Sequence, residues 1–462
     1  MDVFYIDTMK PNVPKSPKSA AQSQDIRTEG HAGDTLQPGW FGAQDSRGNA
    51  QPAEYRDREL NPAFAANPCA LCIPAAVSYE ESAKALVSTP PERSPDFMSL
   101  PAQIRAEHAN TFRDLFVPCD CHVLSFMRLI DALRESYRFR NLESPEFQRH
   151  LWDIVRAGSA RAVPRMNRTG GAAGGLIVIG PTGSGKTSLI DRVVENVGDF
   201  CRVHTTIGGR PCLWPQIPIL RVSAAGRTTP KQLAFAIAVQ LDGYIGADCA
   251  KSMDRTTDYV YHISRFLSSN LVGVLVIEDG QLWTSIESGL RKGMLGLLVG
   301  VMEITGIPVI NVGTYRLQRV LETYSSDAEK LMALGRLDIP PVSGDEMFSL
   351  CQAFWNERMT DGPSAMPDWM PAAVLTRTAG IRRYVRMLMM GLMRGMTMDG
   401  ILKLERGYFE SCTDVVLGGY AEAIRTIGRA YSGQRVTSEL LLKYEEYIDP
   451  VHYRERVKSR RA

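Results

Sequence analysis

Apolar and polar positions change texture several times along the 462 residues. From His122 to Tyr137, Leu124, Met127, Ile130, Leu133 and Tyr137 recur at three- and four-residue steps, which predicts an amphipathic helix. Shorter helical patches precede it at Ser78–Leu86 and Leu100–His108, broken by Pro pairs, and Pro145–Val155 follows. The middle block then alternates. Leu176–Ile179, Ile217–Val222, Val272–Ile277 and Val309–Val312 read as short buried strands. Thr187–Val197, Pro230–Leu241, Asp258–Leu267 and Ile286–Met302 read as the helices between them. Short apolar strands alternating with helices predict an α/β fold, a parallel sheet flanked by helices on both faces. After Pro340-Pro341 only helical patterns remain, from Asp345 to Tyr420 and on to Tyr447, and no internal repeat is visible.

Composition adds boundaries to this pattern. Residues 1–54 are rich in Pro, Gly, Ser, Asp and Gln and read as a disordered or extended arm. Residues 55–168 form an N-terminal helical segment ending near Arg156, Arg161, Arg165 and Arg168, and the Gly/Ala run from Gly170 to Gly175 reads as a linker. The α/β core spans 169–340 and a helical lid 341–430. A basic tail, 431–462, closes with Arg454, Arg456, Lys458, Arg460 and Arg461. Lys and Arg number 53 against 51 Asp and Glu, a net charge of +2, which excludes a strongly basic DNA coat while leaving room for a basic stripe on one face. The longest apolar stretch, Gly293–Gly313, holds Glu303 and Pro308, so no membrane span is expected. Asp2 and Asp7 without an apolar run argue against a signal peptide. Nine scattered cysteines suggest reduced thiols and a cytoplasmic protein.

The chemistry concentrates at Gly180-Pro181-Thr182-Gly183-Ser184-Gly185-Lys186-Thr187, a complete G-x-x-x-x-G-K-[ST] between a predicted strand and a predicted helix. Its backbone N–H groups and the helix N-terminus, with Ser188 in the first turn, cradle phosphates. Lys186 supplies charge to the β- and γ-phosphates of ATP, and the Thr187 hydroxyl is the expected Mg2+ ligand. The acidic partner is expected at Glu278-Asp279, after Leu275-Val276-Ile277. The usual order is Asp for the magnesium shell, then Glu for the attacking water. Here it is reversed, so Glu278 is expected at the metal and Asp279 at the nucleophile. A misplacement of ~1 Å can cost ~100-fold in rate, and slow hydrolysis is the expectation.

Polar residues around this pair complete the expected site. Thr314, at the tip of the next strand, is better placed than Asn311 to sense the γ-phosphate; its alternative role is a helix N-cap. Arg336, before the short strand Leu337–Ile339, is the first choice for an arginine reaching a neighbouring subunit's nucleotide, with Arg316 and Arg319 competing. Arg383, and Arg382 second, open a lid helix within reach of nucleotide.

An NTPase core followed by such a lid resembles an AAA+ ATPase. The upstream residues are more specific. Asn61–Phe64, Phe112–Pro118, His122 and Tyr137-Arg138-Phe139-Arg140-Asn141 resemble the N-terminal segment of the TnsC/TniB family, AAA+ regulators of transposition-target choice. Gln216–Leu220 and Ile277–Gln281 sit where that family has its second strand and acidic motif, and the likeness covers roughly residues 55–395. It implies homo-oligomers, as a ring or helical filament, assembled with ATP on duplex DNA and linking a target-selector protein to the transposase. DNA contacts are then expected from Arg227, Thr228, Thr229 and Lys231 at a helix start, suited to phosphates rather than base edges. Their alternative is an N-capped, solvated helix end. A filament repeats a few contacts many times, so near-neutral net charge is no objection.

Two weaker patterns remain. Cys69, Cys72, Cys119, Cys121 and His122 have the residue types of a zinc site, but the one-residue spacing of the second pair is poor ligand geometry, and buried free thiols are expected. Met387, Met389, Met390, Met393, Met396 and Met398 crowd the lid and read as packing. Besides the transposition regulator, two readings stay open: a replication initiator or loader, and a nucleotide-locked scaffold with little hydrolysis.

Overall fold

The computed structural model describes residues 50–57, 59–75, 77–164, 173–254, 256–322, 325–361 and 365–460. The expected arm as far as residue 49, Arg165 and Arg168, Gly170–Ala172 of the linker, and Arg461 lie outside the described residues.

The last residues assigned to the arm form a strand, β1 (Ala50–Pro52). The N-terminal segment follows as α1 (Pro68–Leu71), α2 (Tyr79–Leu86), α3 (Ala102–Glu107), α4 (Asp120–Tyr137) and α5 (Pro145–Ala157). Local chemistry sets these boundaries. Ser78 and Glu81 exchange hydrogen bonds in a capping box that starts α2, and Pro145 sits in the first turn of α5, where its missing N–H costs nothing.

The core runs β2 (Leu176–Ile179), α6 (Lys186–Val197), β3 (Cys201–Ile207), β4 (Arg210–Gln216), β5 (Ile219–Ser223), α7 (Pro230–Ile245), α8 (Cys249–Met253) and α9 (Tyr259–Ser269). It continues through β6 (Val274–Glu278), α10 (Ser288–Thr305), β7 (Val309–Gly313), α11 (Tyr315–Glu322), α12 (Ser325–Leu331) and β8 (Arg336–Asp338). Five strands form a parallel sheet in the order β5-β6-β7-β2-β8. The β3–β4 hairpin is an element that the hydrophobic pattern did not indicate. Its turn, Gly208-Gly209, has φ of 55° and 74°, the positive values that a two-residue hairpin turn requires. Pro211 and Pro215 lie in β4, the edge strand of a small sheet in which β3 pairs with both β1 and β4. The lid and tail are helical: α13 (Gly344–Asn356), α14 (Met370–Thr378), α15 (Arg382–Met398), α16 (Arg406–Leu417), α17 (Ala421–Tyr431), α18 (Ser438–Lys443) and α19 (Pro450–Ser459).

Register places the site. Ile179 pairs with Gly313 on one side and Asp338 on the other, while Glu278 pairs with Val312 and Ser223. The parallel strands therefore end nearly level, and Gly180, Asp279 and Thr314 leave the sheet along one rim, the rim where open α/β sheets bind ligands. One face buries Ile177, Leu275, Ile277 and Val309 with α7, α9 and α10. The other buries Val178, Val276, Ile310 and Val312 with α6 and with Phe126, Ile130 and Leu133 of α4. A third cluster joins the lid, including Met389, Met393 and Met396, to Phe97, Phe112 and Cys119. The N-terminal segment thus shares its apolar residues between the sheet and the lid, and ties the two together. No described helix is long and apolar enough to cross a membrane.

The Tyr137–Asn141 block anchors α4 to the sheet. Tyr137 and Arg140 are fully buried. The Tyr137 hydroxyl donates to the Leu271 carbonyl at 2.8 Å, and Arg140 donates to the Val272 carbonyl at 2.6 Å, both just before β6. Tyr137→Phe strands a buried carbonyl and is expected to destabilise the protein by about 1–3 kcal/mol, measured by urea unfolding. A change indistinguishable from zero would remove this anchor from the account.

Candidate nucleotide site

Lys186 is the first residue of α6, and the loop before it curls because Gly183 and Gly185 take φ of 81° and 103°, values that side-chain-bearing residues rarely adopt. The lysine is 9% exposed. Its Nζ donates to the carbonyls of Gly180 at 2.9 Å and Pro181 at 2.8 Å. Burial lowers its pKa to about 7; Asp279 and Glu446 oppose that fall, and Arg383 adds to it.

Beside the loop lies a cavity of about 530 Å³. Gly183, Gly185, Lys186, Thr187 and Ser188 line it from the core, and Arg382, Arg383 and Arg386 from the lid. Arg113, Asp114 and Phe116 close it from the N-terminal segment. Six basic side chains face the cavity (Arg113, Lys186, Arg192, Arg382, Arg383 and Arg386) against two acidic ones, Asp114 and Asp191. Burial first, then the charges of Arg383 and Arg113, push the Arg386 guanidinium below its ordinary value. Crowded cations on backbone donors make a polyanion site.

The lid arginines divide their work. The Arg383 backbone N–H donates to the Gly183 carbonyl at 3.0 Å, docking α15 on the loop. Arg382 donates to the Val117 carbonyl and Cys119 Sγ, each at 2.7 Å, and its guanidinium lies over the Phe116 ring. His122 sits behind the loop. Its Nδ1 accepts from the Cys119 N–H at 3.2 Å, and burial holds its pKa well down, so the neutral ring carries its proton on Nε2. A side chain at Gly185 would come within 3.2 Å of that nitrogen.

The two consecutive carboxylates face different partners, and Glu278, expected at the metal, lies in an ion pair. Arg221 on the neighbouring strand β5 grips Glu278 through three N–O contacts of 3.0–3.3 Å and holds Asp191 at 2.8 Å. Burial nevertheless raises the Glu278 pKa against the pull of Arg221. Asp279 turns out of the strand with φ of 59°. It accepts from Gln281 at 3.1 Å, and its charge acts on Lys186. Asp279 is therefore the exposed acid beside the phosphate loop, and Glu278 is engaged in an ion pair. A P-loop magnesium takes few protein ligands, the rest being phosphate and water. The Thr187 hydroxyl on the cavity wall and the Asp279 carboxylate fit that demand better than Glu278 does.

Thr314 follows β7 on the same rim. Its N–H donates to Gln281 Oε1 at 3.3 Å, and its buried hydroxyl has no partner. Asn311 lies inside the strand between Ile177 and Ile277, as expected, with its amide fully buried and unpartnered. Arg336 is used within its own chain: it contacts Gln318, Asp338 at 2.5 Å and Asp449 at 2.5 Å. Arg316 bonds Glu445 at 2.8 Å and Glu446 at 3.3 Å, and Arg319 bonds Glu445 at 2.6 Å. None of the three arginines is presented free to a neighbour in this conformation.

At the start of α7, Thr229 caps the helix by accepting from the Gln232 N–H at 3.2 Å, and Thr228 donates to the Gln232 side chain at 2.8 Å and 3.0 Å. Arg227 bonds the Ala225 carbonyl, and Lys231 is exposed. The local capping role is thus realised, and Lys231 keeps its charge in solvent. Cys72 donates to Gln216 at 2.7 Å, and Cys119 is committed to Arg382. Among the described residues no three His, Cys, Asp or Glu side chains converge on a metal position.

The sequence reading missed Arg113, Arg192, Arg386 and Arg221 as parts of the site. Arg221 lies inside a predicted strand and Arg192 inside a predicted helix, and a basic residue in such a place does not by itself separate a cavity wall from a solvated face. Protonation of Lys186 predicts a linkage. Triphosphate favours the ammonium, so binding above about pH 7 is expected to take up a proton, with affinity falling toward tenfold per unit. Calorimetry at about pH 8 in buffers of unlike ionisation heat checks it; identical heats would refute the shift.

Residues 168–321 match the family model described as an AAA domain. No curated protein matches the chain. Among solved structures, the ORC2 protein of Aeropyrum pernix is 12% identical, covering 62% of this chain and 79% of that chain with a TM-score of 0.36. The Walker-type ATPase of Pyrococcus abyssi is 12% identical, covering 69% and 93% with a TM-score of 0.37. Domain III of the replication initiation protein DnaA of Thermotoga maritima is 12% identical, covering 61% and 96% with a TM-score of 0.33. With the phosphate loop formed between β2 and α6, residues 168–321 are similar to an AAA domain.

Proposed function

We propose that this protein is an ATP-binding, DNA-associated switch in which nucleotide occupancy controls self-assembly. The observation that carries the reading is the cationic cavity closed by three parts of the chain at once: the phosphate loop, the N-terminal segment and the lid. A polyanion bound there fixes the relative positions of all three, which is how a small ligand sets the shape of a subunit surface. Lys186 and the loop N–H groups hold the phosphates, while Arg383 and Arg386 bring lid charges to them. Thr187 and Asp279 would hold a magnesium ion, which would supply positive charge to the terminal phosphates. Thr314 contacts the γ-phosphate with its otherwise unpartnered hydroxyl.

On the DNA side, Lys231 and Arg227 at the start of α7 meet backbone phosphates, and assembly multiplies their weak individual contributions. The replication-initiator or loader class is the broader form of this reading. The narrower form, a regulator that links a target selector to a transposase, rests on the likeness of Phe112–Pro118 and Tyr137–Asn141 to the TnsC/TniB family. The Arg221–Glu278 ion pair supports slow turnover, since one of the two expected catalytic carboxylates is engaged.

Lys186→Ala is expected to abolish ATP-dependent sedimentation with duplex DNA; sedimentation equal to wild type would sink the switch. Asp279→Asn, which removes the acid beside the phosphate loop, is expected to slow ATP hydrolysis by about 100-fold, and Glu278→Gln, which breaks the pair with Arg221, to slow it less. A phosphate-release rate for Asp279→Asn equal to wild type would take the metal role away from Asp279.

A further inference from the structure

The segment joining α18 to α19, Tyr444–Asp449, has two chemically different sides. Its apolar residues belong to the lid. Tyr444 and Tyr447 pack on the lid core, and the Tyr447 ring stacks with Tyr384 at 6.4 Å and 15°. The Tyr447 carbonyl accepts from the Tyr431 hydroxyl at 3.1 Å, and Ile448 is buried. Its acidic residues face the sheet domain instead. Glu445 binds Arg316 and Arg319, Glu446 binds Arg316, and Asp449 binds Arg336. Glu446 also reaches the phosphate loop itself. Its carboxylate accepts from the Thr182 hydroxyl at 3.2 Å, and its carbonyl from the Thr182 N–H at 3.3 Å.

We propose that Tyr444–Asp449 is an internal acidic ligand of the phosphate loop, a strap carried by the lid that competes with the terminal phosphate of a nucleoside triphosphate. The strap deepens the nucleotide-switch reading above and rests on it. Three features support competition over ordinary domain packing. The strap takes a loop N–H through the Glu446 carbonyl, and its acids take the Thr182 hydroxyl and three arginines, the donors that a phosphate would take. Its hold on the sheet domain through Glu445 and Glu446 is ionic and partly solvated, and so open to displacement, while Asp449 is buried against Arg336. Its hold on the lid is apolar, so it stays with the lid when displaced.

Placement gives the strap selectivity. Gly183, Gly185, Lys186 and Thr187 line the cavity, whereas Thr182, in the same loop, bonds the strap. A diphosphate on the cavity side leaves the strap in place. A third phosphate, drawn toward Lys186, meets the Glu446 carboxylate, whose charge already acts on that lysine. Triphosphate then displaces the acids, separating Arg316 and Arg319 from Glu445 and Glu446, and Arg336 from Asp449, while Arg336 keeps Asp338.

The test compares wild-type full-length protein with Glu445→Gln/Glu446→Gln/Asp449→Asn. The Asn at 449 preserves the N-cap that Asp449 gives α19. Affinity for a non-hydrolysable ATP analogue is expected to rise about fivefold in the variant, and affinity for ADP to change less than about twofold. Equal affinities in the two proteins, or equal tightening for both nucleotides, would overturn the strap. A second measurement needs no variant. Tryptic cleavage of the wild type after Lys443 and Arg454 is expected to accelerate with the ATP analogue and not with ADP, and equal rates with both would count against the strap. Both readouts report nucleotide binding and strap release, so absence of assembly on DNA would refute the switch reading while leaving the strap decided by its own results.

Discussion

Burying the ammonium of Lys186 is the constraint on which the rest of the structure turns. The group is almost out of water, and its close partners are two backbone carbonyls, not a carboxylate. Partly neutral oxygens compensate a buried cation incompletely, and the depressed pKa records the shortfall. The arrangement persists because the loop is fixed on both sides. β2 lies between β7 and β8 in the sheet, and the backbone of α15 is bonded to Gly183. What is left is a positive potential that nearby acids answer from a distance. Asp279 answers it from the sheet and Glu446 from the C-terminal segment.

The adjacent acids Glu278 and Asp279 show how backbone geometry, more than residue type, assigns roles. Glu278 is still in β6 and points across the ladder to Arg221, its partner strand's basic residue. One residue later the chain turns into the left-handed region, which Asp tolerates better than most residues. The turn sends Asp279 to the phosphate-loop side of the rim. The reversed order of the pair therefore does not mean that a longer acid has replaced a shorter one at a fixed place.

Elements with strong period were legible in the sequence: α4, the four apolar strands, and the phosphate loop with its flanking strand and helix. The β3–β4 hairpin was not, because Pro211 and Pro215 interrupt alternation even though Gly208-Gly209 marks its turn. The cavity wall was hidden for a different reason. Arg113, Lys186 and Arg386 are brought together by the packing of Phe112 and Phe354 in the lid core, and no local pattern encodes that proximity. Arg336 gives the sharpest case. Its position just before the predicted strand Leu337–Ile339 offers it to a neighbouring subunit, while its partner Asp449 lies 113 residues further along the chain. Tyr137 and Arg140 show the converse, since residues noted for family likeness hold the turn before β6.

Net charge near zero and a strongly cationic site are compatible because the charge is partitioned. The cavity concentrates six basic groups against two acids, and the compensating acids sit on a segment fixed to the lid. Such a division suits a binding site better than an inert core. An inert core would bury matched pairs or apolar side chains in place of crowded guanidinium groups. Crowding of Arg113, Arg383 and Arg386 is unfavourable until an anion enters, so the free energy of ligand binding includes relief of that repulsion. The cavity is walled by the N-terminal segment, the core and the lid, so that relief acts on all three together. In the proposed switch, this one cluster of charges is what couples nucleotide affinity to subunit shape.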